Sequence, residues 1–346
     1  MKAIFLTGLR KAQMREIPEP ELLDEHSVLL KTQVAGICGS DLHYFISETV
    51  GGEKVPYPCI VGHECSAEVI KVGPEVKEFK PGDVVAVEPS ISCGVCDQCL
   101  AGRFNTCRKI KFLGHPGEIN GCFAEYFVMP DKNLFLLAPD ILPEEAMLAE
   151  PLSIALHAFN LAKLESSSTV GVLGTGPIGL SLVMLLKRHG FGAIFATDRS
   201  EARVEAALKA GAGWAASVEQ EDILREILTR QPLGLDAVFE VSGDQEAIDQ
   251  AVELVKPGGE IIQVGIPIPE RVSYRIARLR RKEITIINSR RQNKCMEPAL
   301  NLIKNKKIDI GWLLTHRFKP EQAQEAFTVA ADRLDGVLKA AFVFRK

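Results

Sequence analysis

Residues 170–179, VGVLGTGPIG, decide how the rest of the chain is read. TVGVL is an apolar, β-branched run of strand length, and PIGLSLVMLLKRHG from Pro177 onward suits a helix closed by Gly190. Between them Gly174, Gly176 and Gly179 take the spacing G-x-G-x-x-G. In that setting the glycines let the turn tighten and the backbone approach a pyrophosphate. Pro177 and Ile178 open the first helical turn, whose N–H groups face the anion. The next strand, AIFATD, ends at Asp198, about 20 residues beyond the glycines, where a carboxylate accepts from the adenosine ribose hydroxyls. That acid repels a 2′-phosphate while the adjoining Arg199 attracts one, and the balance favours NAD over NADP.

The alternation continues downstream. SEARVEAALKAGA predicts a helix with Ser200 as N-cap, and LDAVFEVSG, QEAIDQAVELVKPGG and EIIQVGIP follow as strand, helix and strand. Strands alternating with helices of this length imply βαβ units and a doubly wound parallel sheet. Upstream the character differs. VLLKTQVAGIC, AEVIKV, DVVAVEP and AEYFVMP read as short strands separated by turns, with a tight turn at KPGD, so the first 150 residues or so predict a β-rich, barrel-like domain. A helix is expected after Pro151, in PLSIALHAFNLAKL. The basic stretches YRIARLRRKE and SRR read as solvated faces, Arg290 excepted. The expected organisation is α/β with a first domain over residues 1–153, a coenzyme domain over 154–290, and a segment over 291–346 that returns to the first domain.

Composition narrows the function classes. The 346 residues are 46% apolar and 25% charged, typical of a globular protein large enough for two domains. No run approaches the roughly 18 apolar residues of a membrane span, and MKAIFLTGLR lacks a signal-peptide pattern. A net charge of −4 gives no general attraction to nucleic acid or anionic lipid. Nine cysteines without an export signal argue for reduced thiols or metal ligands in a cytoplasmic protein.

Four of them, Cys93, Cys96, Cys99 and Cys107, crowd into CGVCDQCLAGRFNTC. The last interval and the Arg108 that follows it depart from the common iron–sulfur run, which ends C-x3-C-P, and favour a closed tetrahedral zinc with a structural role. A zinc-ribbon module for nucleic acid is the rival, and the mixed charge around the loop speaks against it. Two other stretches concentrate ligand types: GICGSDLHYF, with Cys38, Ser40, Asp41, His43 and Tyr44, and VGHECSAEV, with His63 and Glu64. A catalytic zinc needs about three protein ligands and one exchangeable position. Cys38 and His63 are natural donors, and Glu64 or Glu150 could complete the set. Ser40 also reads as a helix N-cap.

CGSDLHYF, GHE, the four-cysteine lobe, GCFAEY, EPLSIALHAF and GTGPIG occur in the order found in zinc-containing medium-chain dehydrogenases, and most closely resemble the sorbitol (polyol) dehydrogenase branch. The resemblance covers nearly the whole chain. It implies a GroES-like catalytic domain completed by the C-terminal segment, a Rossmann domain, an active site in the cleft between them, and a homodimer or homotetramer. By it Cys38, His63 and Glu64 hold the catalytic zinc, and Glu150 ligates the ion or holds its water. Glu150 stands where classical alcohol dehydrogenases carry cysteine, which favours the polyol branch.

An alcohol releases hydride readily only after losing its proton, and a bound zinc favours that loss. Ser40 is the expected acceptor of the proton and His43 its outlet to solvent, while Asp41 is expected to orient His63. The resemblance implies that Tyr44 and Arg290 bind substrate hydroxyls. Arg291, where the branch has an aromatic residue, points to a more polar or anionic substrate, such as a polyol phosphate or sugar acid. A threonine-type dehydrogenase and a non-catalytic NAD-binding zinc protein are the alternatives.

Overall fold

The computed structural model of the chain describes residues 1–345. They form two compact units, one of Met1–Glu150 with the chain from Met296 onward, the other of Pro151–Cys295. In the first, β1 (Ser27–Gly36) lies antiparallel to β2 (Glu64–Val72), with Gly36 opposite Glu64. β3 (Val84–Val87), β4 (Tyr126–Pro130) and β5 (Leu134–Leu136) extend the sheet. Helix α1 (Gly39–Ile46) follows β1 directly.

The second unit carries six strands: β6 (Thr169–Leu173), β7 (Ala193–Asp198), β8 (Trp214–Ser217), β9 (Leu235–Glu240), β10 (Val255–Gln263) and β11 (Thr285–Asn288). They pair in parallel in the order β8-β7-β6-β9-β10-β11. The chain order reverses between β6 and β9, and the crevice at the carboxyl ends of strands at such a point is where this sheet type takes a ligand. The residues following β6 there are Gly174, Thr175 and Gly176.

The chain then returns to the first unit. β12 (Leu314–Phe318) and β13 (Lys339–Val343) are parallel to each other, and β13 hydrogen-bonds the end of β1. Phe327 and Phe342 from this returning segment meet Phe45 of α1 and Phe123, with ring centroids 5.1 Å apart for Phe45–Phe327 and for Phe123–Phe342. All four rings are fully buried, so α1 is clamped by residues from the end of the chain.

Three local expectations need correction. The helix expected after Pro151 is α2 (Pro143–Ala162), which starts eight residues earlier and runs through Pro151. Pro143 with Glu144 and Glu145 is a proper helix start. A mid-helix proline costs about 3 kcal/mol. Met147, Leu148, Ala149, Leu152 and Ala155 are all wholly buried, which at roughly 1.5–3 kcal/mol per large apolar side chain outweighs the loss. Cys38, not Ser40, is the N-cap of α1.

The third correction concerns the basic stretch YRIARLRRKE, residues 274–283. The helices of the second unit that matter here are α3 (Pro177–Arg188), α4 (Glu201–Ala210), α5 (Gln245–Leu254) and α6 (Ile276–Lys282). Ser200 occupies the N-cap of α4 without a side-chain cap bond. Lys282, expected on a solvated face, instead donates to the carbonyls of Val252, Glu253 and Val255 at 2.9, 2.8 and 2.8 Å, closing the end of α5. Replacing it by Met should therefore destabilise the unit by about 1–2 kcal/mol, read as an earlier denaturant midpoint; an unchanged midpoint refutes the capping role.

Candidate active site

Cys38 caps α1 in extended geometry, and Asp41 one turn on accepts its N–H through Oδ2 at 2.9 Å. The other oxygen of Asp41 accepts the N–H of Gly62 at 3.2 Å and lies 3.7 Å from Nδ1 of His63. One wholly buried carboxylate thus ties the start of α1 to the turn before β2. Burial pushes Asp41 up to about 7, with the Glu64 carboxylate adding to the rise and the two N–H groups opposing it. Gly62 has φ +97°, and a Cβ there would come within 2.7 Å of the Phe123 ring, so the turn admits no side chain.

This scaffold brings ligand atoms of Cys38, His63 and Glu64 within 4.8 Å of one another. Gly36 leaves the room, since a Cβ on it would meet Sδ of Met147 at 2.6 Å and Cε of Lys339 at 3.0 Å. Burial first, then the Glu64 carboxylate, drives the Cys38 thiol well above its ordinary range. A half-buried thiol converging with a buried imidazole and a buried carboxylate fits a zinc ion. Glu150, 5% exposed, is not among the three converging residues, yet its charge acts on both Cys38 and Lys339.

Lys339 is the residue that sequence reasoning missed. It is 2% exposed and pairs with Glu64 through Nζ and Oε2. Burial by itself would lower its pKa, but Glu64 and Cys38 outweigh that and hold it above the ordinary lysine value. The signal was present in VLKAAFVF, because a lysine in an apolar strand is almost never buried without a partner.

Ser40, His43 and Tyr44 are three and four residues apart on α1 and share its half-buried face, whereas Asp41 and Phe45 face inward. Nδ1 of His43 is buried without a hydrogen-bond partner among the described residues, and burial lowers its pKa. Tyr44 packs edge-on against His115, ring centroids 6.2 Å apart. Arg290 is exposed just after β11, in the other unit.

The four-cysteine loop is compact. Sγ of Cys93 lies 4.0 Å from that of Cys99, and Sγ of Cys96 lies 3.6 Å from Cys99 and 3.9 Å from Cys107. A tetrahedron with 2.3 Å zinc–sulfur bonds has edges of about 3.8 Å, so the thiols fit a single zinc. Backbone N–H groups of Arg108 and Cys99 lower Cys96 to about 6, which favours the ligating thiolate.

In the second unit, Gly174 has φ +97°, and a Cβ on it would lie 2.9 Å from the Ser242 nitrogen. Gly176 caps α3, Pro177 and Ile178 start it, and a Cβ on Gly179 would strike the Gly174 carbonyl. Asp198 accepts the Thr175 N–H at 2.8 Å and the Ser200 N–H at 3.0 Å. Arg203, also unforeseen, places Nη1 3.8 Å from Asp198 and borders Gly176. Arg199 pairs instead with Asp244, at 2.8 Å. These groups suit a pyrophosphate and a ribose.

Residues 24–140 match the alcohol dehydrogenase GroES-like domain, and residues 177–305 match the zinc-binding dehydrogenase family. A sorbitol dehydrogenase of Bacillus subtilis is 35% identical over 340 residues, 98% of this chain and 96% of that one. The chain belongs to the zinc-containing medium-chain dehydrogenases. This oxidoreductase family joins a GroES-like domain to a Rossmann domain, the fold class expected from sequence. A zinc-binding dehydrogenase from Sinorhizobium meliloti 1021 bound to NADP superposes with TM-score 0.89 at 28% identity, covering 99% of both chains. Galactitol-1-phosphate dehydrogenase from Escherichia coli gives 0.87 at 28% identity over 99% of this chain and 100% of its own. No described helix is long and apolar enough to cross a membrane.

The Glu64–Lys339 pair yields a measurable consequence. Lys339→Met leaves a buried carboxylate without its cation and should cost the metal-free protein about 3–5 kcal/mol. Zinc should recover part of that loss by supplying positive charge. Denaturant melts with and without zinc check this, and an equal penalty in both would show that zinc and Lys339 do not answer the same Glu64 carboxylate.

Proposed function

We propose that the protein oxidises a secondary alcohol of a polyol or sugar-derived substrate to a ketone, with hydride transfer to NAD. The carrying observation is the convergence of Cys38, His63 and Glu64 beside Ser40 and His43, in a chain 35% identical to a sorbitol dehydrogenase. In this reading residues 1–153 and 291–346 make the catalytic domain and residues 154–290 the NAD domain.

Each chain holds two zinc ions, a structural one on Cys93, Cys96, Cys99 and Cys107 and a catalytic one on Cys38, His63 and Glu64. Glu150 ligates the catalytic ion directly or through water. When bound, zinc supplies the positive charge that favours loss of the alcohol proton, and NAD supplies the hydride acceptor. The chain's own residues do the rest. Ser40 takes up the proton as it gives up its own hydroxyl proton toward His43, whose pKa burial lowers and which releases it to solvent. Asp41 holds His63 in orientation. Tyr44 and Arg290 bind substrate hydroxyls. Asp198 binds the adenosine ribose, supporting NAD over NADP, with Arg199 beside it, and Gly174, Gly176, Pro177, Ile178 and Gly179 receive the pyrophosphate.

Arg290 and Arg291 with Lys294 form a basic loop that supports a polar or anionic substrate, such as the phosphate of a polyol. Likeness to galactitol-1-phosphate dehydrogenase supports the same class. A homodimer or homotetramer is supported by the open outer edge of β11 and by exposed Ile266, Ile268 and Ile276 in the segment leading to it. None of the nine cysteines is in a disulfide, which supports a reducing, cytoplasmic setting.

The test is metal content per chain with NAD reduction on polyols, polyol phosphates, sugar acids and threonine. Two zincs are expected, mild chelation removing one together with the activity; one chelation-resistant zinc and no turnover would refute the reading. Ser40→Ala and His43→Ala should each lower kcat by about 10²–10⁴-fold and alter the pH profile, and an unaltered profile would remove them from the proton path.

A further inference from the structure

The ion pair between Arg199 and Asp244 joins two loops that belong to different strands. Arg199 directly follows β7, and Asp244 lies in the loop between β9 and α5. In the sheet order β7-β6-β9, those strands stand on either side of β6 and its glycine turn. The pair therefore reaches across the crevice at the carboxyl ends of the strands, with Nη2 of Arg199 2.8 Å from Oδ2 of Asp244. Asp244 occupies the N-cap of α5 but makes no capping bond with its side chain. An aspartate in that position ordinarily accepts an N–H of the first turn. Its carboxylate is committed to Arg199 instead.

The neighbouring charges give this commitment a meaning. Asp198 has both oxygens bonded to backbone N–H groups, and Arg203 stands 3.8 Å from it. Two carboxylates, Asp198 and Asp244, thus balance two guanidiniums, Arg199 and Arg203. A 2′-phosphate adds close to two negative charges, and an arginine near the ribose acid is the group that accommodates it. The planar fork of Arg199 suits a phosphate but is already engaged by a carboxylate. We propose that the Arg199–Asp244 ion pair bridges the coenzyme crevice and holds the protein to NAD by occupying the guanidinium that a 2′-phosphate would otherwise take. The inference rests on the coenzyme reading given above and adds the residue that decides between the two dinucleotides. The side chains are 45% and 46% exposed, so the pair is weak and one substitution suffices to release Arg199.

The experiment titrates NADH and NADPH into the purified, zinc-loaded full-length protein by calorimetry, for wild type, Asp244→Asn, Arg199→Leu and the double variant. Asp244→Ser, equally suited to an N-cap, serves as a second release variant. Both release variants should lower the ratio Kd(NADPH)/Kd(NADH) by about tenfold, with the gain weakening as salt rises. In the double variant the gain should vanish, because it requires the freed Arg199. A ratio within twofold of wild type in both release variants, or an equal gain in the double variant, overturns the inference while leaving the coenzyme reading intact. Failure of wild type to bind either dinucleotide overturns the coenzyme reading itself.

Discussion

The carboxylate of Asp41 is the constraint on which the mixed donor set depends. It receives the N–H of Cys38 on one oxygen and that of Gly62 on the other, and so fixes the start of α1 against the turn that enters β2. Neither segment makes the geometry alone. α1 is eight residues long, too short to hold its own first turn in water, and the turn at Gly62 has a backbone that only glycine adopts easily. Burying a carboxylate is expensive unless its oxygens are bonded, and here both bonds are spent on positioning the segments that carry Cys38 and His63.

That arrangement crowds negative charge. Burial first, then Glu64, Asp41 and Glu150, raise the Cys38 thiol, and burial and then Glu64 raise Asp41, so a lone charge is disfavoured here. The cation that answers them, Lys339, arrives on β13 from the far end of the chain. The returning segment therefore fills a place in the sheet beside β1 and also makes the buried Glu64 carboxylate tolerable. The same segment supplies Phe327 and Phe342 to the cluster that clamps α1, so packing and electrostatics at the site share one dependence.

What could be read from the residues alone follows from how local each device is. The glycine turn, the helix that follows it and Asp198 lie within 30 residues of chain, and their spacing carries the geometry. The four-cysteine loop is more local still. Lys339 escaped notice because its partner, Glu64, is distant in sequence and only the β1–β13 pairing brings them together. Pro151 misled for the converse reason. Its local propensity is unmistakable, but the burial of its helical neighbours is a tertiary fact. Arg203 and Asp244 look like ordinary surface charges until the strand order places the ends of β7 and β9 beside the same turn.

The two candidate donor sets differ in the same sense. In the four-cysteine loop, backbone N–H groups within the loop lower Cys96 and Cys93 toward the thiolate, while burial and then the neighbouring Cys96 push Cys99 up to about 12. At Cys38 burial and the Glu64 carboxylate raise the thiol. The first set is a local motif that a short segment can assemble. The second joins side chains of α1, the Gly62 turn and β2, held by Asp41 and by Gly36 bare beside Glu64, and its carboxylate is paired with Lys339 on β13. The first set thus lies within 15 residues of chain, from Cys93 to Cys107, whereas the second includes a carboxylate whose cation is 275 residues away, at Lys339.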